Sequence, residues 1–99
     1  MSIPLDLNDS GFQDDFFKLE KQELLACCKT LRKIRQLEWE DLYRNSGLNW
    51  EAIGSFDGPL GRRLYSFRVT QKCRAVGLRE GNELMLLSLH PDHDSAYTR

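Results

Sequence analysis

Two hydrophobic periods divide this chain. From residue 8 to residue 37 apolar side chains recur every three to four positions; from Leu64 to His90 the period is two. In the first part, Phe12, Phe16 and Leu19 form one stripe and Leu24, Cys28, Leu31 and Ile34 a second, out of phase with it around Lys21. That spacing predicts amphipathic helices broken near "EKQE", a helical hairpin, with one long helix as the competing reading. Asp9 or Ser10 can cap the start, and Asp14 and Asp15 suit the positive end of the helix dipole. A third helical piece, "EWEDLYRN", ends before Gly47, and Asn49 is read as the cap of a further single turn in "LNWEAIGSF". "DGPLG" is loop chemistry.

The second part reads as three strands, "RLYSFRV", "CRAVGLR" and "LMLLSLH", with "EGNE" as the hairpin between the last two. Apolar residues fill both faces of "LMLLSLH", which predicts a central strand covered on both sides. "SIPLDL" at the start reads as a short edge strand, because Pro4 lacks a ladder donor. The expected fold is α+β in two layers, an N-terminal edge strand and a helical hairpin packed on an antiparallel β-meander. At 99 residues the chain fits one domain, 1–99.

Composition narrows the classes. No apolar run is long enough to span a bilayer, so no membrane role is expected. Three cysteines are too few and odd in number for a disulfide framework, which suits a reducing cytoplasm. Net charge is −1, which argues against a generally basic nucleic-acid binder. The distribution differs from the total. Arg62, Arg63, Arg68, Lys72, Arg74 and Arg79 fall between Gly61 and Arg79 with no acid among them, a local basic surface.

Residues 88–97 read "SLHPDHDSAY". Arg68 ends one meander strand, Arg74 opens the next and His90 closes the last. The expectation is that Arg68 and Arg74 share a rim while His90 leaves at the other, joining them through strand offset or a returning tail. Strands this short span only about 17–20 Å, so one face can hold all three. Two arginines and a histidine on one sheet face suit a phosphodiester. Guanidinium forks bind phosphate bidentately, and imidazole takes or gives a proton near neutrality. Tyr97 can stack on a base or donate its hydroxyl. Cleavage of RNA by its own 2′-hydroxyl needs these parts and no metal or other cofactor. Asp92 and Asp94 turn the chain and favour a protonated His93, the form of an acid. "HPDHD" also looks like a metal cluster, but the sequence supplies no further ligands at zinc spacing.

At these residues the chain resembles the C-terminal half of the RelE/ParE-like toxins of bacterial toxin–antitoxin systems. The resemblance rests on "FRVTQKCRAVGL", "ELMLLSL" and "HPDHDSAY", and on the order of elements. It implies a metal-independent mRNA endonuclease, acting in many relatives at the ribosome, that inhibits translation and is held in check by a cognate antitoxin. By position Arg68 and Arg74 fall on the strand arginines of that family, and His93 and Tyr97, or alternatively His90, on its terminal catalytic segment. Arg62, Arg63, Lys72 and Arg79 would bind substrate. Glu51 lies where some relatives place an acidic base. A noncatalytic, protein-binding member of the same fold, like those that inhibit gyrase, is the other reading.

Overall fold

A computed structural model describes residues 2–57 and 61–91, with the side chains of 55–57 outside the description. The elements run β1 (Leu5–Asp6), α1 (Ser10–Phe17), α2 (Lys21–Arg35), α3 (Trp39–Arg44), β2 (Glu51–Asp57), β3 (Arg63–Arg68), β4 (Arg74–Glu80) and β5 (Glu83–His90). The strands form one five-stranded sheet in the order β1-β5-β4-β3-β2. β2 to β5 are an antiparallel meander, and β1 adds in parallel to β5.

The helical hairpin breaks at residues 18–20, between the two stripes. Asp9 caps α1, its carboxylate accepting from the Phe12 amide at 3.1 Å. Asp14 and Asp15 sit beyond the first turn and do not serve the dipole. Asp15 instead accepts from the Leu89 amide at 2.9 Å. β1 pairs only with Leu84 and Met85 of β5, so Asp15 satisfies a donor that the outer edge would otherwise expose. On α2 the buried face is Cys27, Leu31 and Ile34, with Cys28 exposed rather than facing inward. With Phe12, Trp39 and Leu42 these residues pack on Phe67, Val69, Ala75, Leu84, Leu86 and Leu89 of the sheet, one core between helices and strands.

Two further expectations are corrected here. "LNWEAIGSF" holds no helical turn. Asn49 takes a left-handed conformation (φ 49°) and β2 follows from Glu51. Trp50, Ile53 and Phe56 are three apart and mimic a helical stripe, but Trp50 stacks on Tyr65 and Phe67 of the neighbouring strand at 4.7 and 5.6 Å. Second, the central strand is β4, and β5 lies one position from the edge. Its two-sided apolar pattern comes from a bulge. Val76 pairs with Ser88 and Gly77 with Leu86, leaving Leu87 as an extra residue. Leu84 and Leu86 before the bulge and Leu89 after it therefore all reach the core. The opposing strand stays close here. A Cβ on Gly77 would stand 2.5 Å from the Met85 carbonyl oxygen, so only glycine fits.

Burial also sets thiol chemistry. Desolvation above all, then the neighbouring Cys73 and Cys28 thiols, pushes Cys27 up to about 12; desolvation pushes Cys73 up to about 11 against the lowering effect of a backbone hydrogen bond at His90. A thiol-specific reagent at pH 8 should label Cys28 alone in the folded protein and all three cysteines after denaturation, as counted by mass spectrometry. Because both folded-state values are raised, this part of the stability is complete below about pH 8.5. It is lost as pH rises toward the folded values. Fast labelling of all three thiols at pH 8 would contradict this packing.

Candidate functional site

The sheet has a helix-packed face and an opposite face. In β4, Ala75, Gly77 and Arg79 belong to the first, while Arg74, Val76 and Leu78 belong to the second by strand alternation. Pairing partners share a face, and Arg74 pairs with Arg68 on one side and His90 on the other. The three residues thus form one row across β3, β4 and β5, spanning about 10 Å at ordinary strand spacing. A second row beside it runs Glu51, Ser66, Val76, Ser88.

His90 does not leave at the opposite rim. Each hairpin reverses the chain, and two reversals return the exit of β5 to the rim where β3 ends and β4 begins. The Leu87 bulge completes the arrangement. In an unbroken strand His90 would share the face of Leu84 and Leu86 and point among the helices. The extra residue turns Ser88 and His90 to the side of Arg74.

Arg74 is 2 % exposed. Its Nη2 donates to Ser66 Oγ at 2.9 Å and to the Asn49 carbonyl at 3.0 Å, and stands 3.7 Å from Glu51 Oε2. The left-handed turn at Asn49 aims that carbonyl, and the Asn49 amide group donates to Glu51 Oε1 at 3.3 Å. Among the described residues Arg74 Nε and Nη1 have no hydrogen-bond acceptor. Burying a guanidinium with two donors unmet is costly, and such groups are rare without a compensating anion. His90, 5 % exposed, is linked through Nε2 to Ser88 Oγ at 2.9 Å. Arg68 joins by register only. Its side chain is exposed, with Lys33 and Thr70 beside it around a hollow of about 200 Å³. Glu51 keeps about half its side chain in solvent, 49 %.

The other sequence-selected residues divide. Lys72 is exposed in the β3–β4 turn at the same rim and borders a hollow with Pro91. Arg62 and Arg63 stand at the far end of β3. Arg79 is on the helix-packed face, 4.4 Å from the Trp39 ring centroid, and its Nη1 donates to Tyr43 Oη at 2.9 Å. His93 and Tyr97 lie outside the described residues, as do Asp92 and Asp94. No three of His, Cys, Asp and Glu gather as metal ligands among the described residues.

No family model matches the chain, and neither does any curated protein. Solved structures do match. One is a copper-bound mutant toxin from Helicobacter pylori, 22 % identical with a TM-score of 0.53, covering 94 % of this chain and 97 % of its own. Another is the YoeB dimer from Staphylococcus aureus, 16 % identical with a TM-score of 0.52, covering 89 % of this chain and 94 % of its own. The chain has the RelE/ParE-like toxin fold. Within that fold the described polar face consists of Glu51, Ser66, Arg68, Arg74, Ser88 and His90. Sequence reading singled out the arginines and the histidine but passed over the two serines. Their signal was the repeat of "SFR" and "SLH", a small polar residue two before a basic one in otherwise apolar strands.

No helix among the described residues is long and apolar enough to cross a membrane.

Proposed function

We propose that this protein is a single-domain cytoplasmic toxin of a type II toxin–antitoxin system that cleaves messenger RNA without a metal. The observation that carries the reading is the buried Arg74 guanidinium, with two donors unmet among the described residues, in one row with Arg68 and His90. A scissile phosphate would accept one charge-assisted hydrogen bond from Nε or Nη1, whose N–H bonds leave different edges of the guanidinium. Arg68 would add charge from the surface. Glu51 takes the 2′-hydroxyl proton; the 2′ oxygen forms its bond to phosphorus as the bond to the 5′ oxygen breaks. His90 gives the departing 5′ oxygen its proton, leaving a 2′,3′-cyclic phosphate and a 5′-hydroxyl. His93 and Tyr97 of the terminal segment remain candidates for the acid. Ser88 would hold the His90 ring and Ser66 the Arg74 fork. A cognate antitoxin and the ribosome are the proposed partners.

The test is direct. Purified protein in excess chelator, with free RNA and with RNA on ribosomes, should yield fragments ending in cyclic phosphate and 5′-hydroxyl. An RNA with 2′-O-methyl groups should stay intact. Intact RNA in both settings would reject the nuclease reading. The burial of Arg74 and His90 favours one alternative, a noncatalytic protein-binding member of the fold. Growth arrest that survives Arg74→Met would support that alternative.

A further inference from the structure

The basic residues that the row does not use meet elsewhere. Tyr43, Arg62, Arg63, Tyr65, Arg79 and Gly81 line a hollow of about 380 Å³ at the far rim of the sheet, on the helix-packed side. Its walls are fixed from below. Tyr65 stacks on Trp50 at 4.7 Å, and Tyr43 lies edge-on to the same indole at 5.9 Å. Arg79 is held by Tyr43 Oη, by the Gly81 carbonyl at 2.8 Å and by the Trp39 ring. Arg62 is paired with Glu80 at 2.8 Å, in an exposed and therefore weak bridge that an incoming anion can exchange. Arg63 is exposed, and Tyr43 keeps 48 % of its surface in solvent.

We propose that this hollow binds a nucleotide unit, its base stacked on Tyr43 and its phosphate held by Arg62 and Arg63. The cation set alone would suit any anion, but the two phenol rings select one with a flat π-face. The volume falls within the range of small-ligand pockets, about 300–1,000 Å³. Stacking on an exposed ring next to guanidinium groups is the usual mode for unpaired nucleotides. The site lies at the opposite end of β3 and on the other face from Arg74, so it does not depend on the cleavage reading. The nucleotide comes either free or as part of a single-stranded chain.

Titration with adenosine 5′-monophosphate, with a six-residue oligodeoxyadenylate that cannot be cut through a 2′-hydroxyl, and with inorganic phosphate tests this, read by tryptophan fluorescence and calorimetry. Nucleotide, oligomer or both should bind and quench Trp39 and Trp50 emission, with inorganic phosphate at least tenfold weaker. Binding of the mononucleotide as tightly as the oligomer assigns the free nucleotide; binding of the oligomer alone assigns the chain. Tyr43→Leu and Arg63→Gln should each weaken binding at least tenfold while the protein stays folded. No binding at millimolar ligand overturns the proposal, as does equal affinity for inorganic phosphate or indifference to both substitutions.

Discussion

Arg74→Met should stop RNA cleavage while leaving the protein as stable as before or more so. The expected loss in rate is about 100-fold or greater, the scale for removing one preorganised charge from a reacting phosphate. The stability expectation has the opposite sign to that of most core substitutions. The guanidinium is desolvated, and among the described residues two of its nitrogens lack acceptors and its acidic neighbour, Glu51, is half exposed at 3.7 Å. Methionine fills a similar volume with no charge to desolvate, and such exchanges are often neutral or stabilising. A gain of about 1 kcal/mol would raise Tm by about 4–8 °C in a domain of this size. Ser66 and the Asn49 carbonyl lose a donor, which limits the gain. Rate and melting should therefore move apart. A steep fall in Tm with full activity in the remaining folded protein would make Arg74 a structural anchor and nothing more.

Inserting one alanine after Leu87 should be the most damaging single change. The bulge absorbs one extra residue; with a second, Ser88 and His90 turn toward the helices and Leu89 turns away from them. Losing the burial of Leu89 costs about 2 kcal/mol. Placing an imidazole in an apolar core adds about 1–3 kcal/mol. Tm should fall by at least about 15 °C. Leu87→Ala keeps the residue count and removes only a half-buried side chain, a loss of about 1 kcal/mol. Thermal melts of the two variants separate the position of the bulge from the side chain on it. Equal Tm values would mean that the bulge does not set the phase of β5.

The meander and the helical hairpin were legible because their periods are local properties of the chain. β2 was not. Trp50, Ile53 and Phe56 copy a helical spacing, and the left-handed Asn49 that starts the strand looks the same in sequence as a capping asparagine. The buried face of α2 was misplaced by one residue because Cys27 and Cys28 are chemically alike, and only packing against the sheet separates them. At the site, the residue types could be selected from sequence, but their grouping could not. Arg74 finds its partners on β3 and before β2, contacts 8 and 25 residues away. The basic run from Arg62 to Arg79 reads as one surface, yet strand alternation and length send Arg79 to the helix-packed face and Arg62 and Arg63 to the far rim.

On the nuclease reading an unmet N–H of Arg74 receives a phosphate of RNA. The most direct measurement is nitrogen-detected NMR of the arginine side chains during titration with a 2′-O-methyl RNA oligomer, which binds but is not cut. A distinct Arg74 Nε–H signal should shift downfield and gain protection from exchange, with a smaller change at Arg68. Saturation of the oligomer with the Arg74 signal unmoved would contradict it.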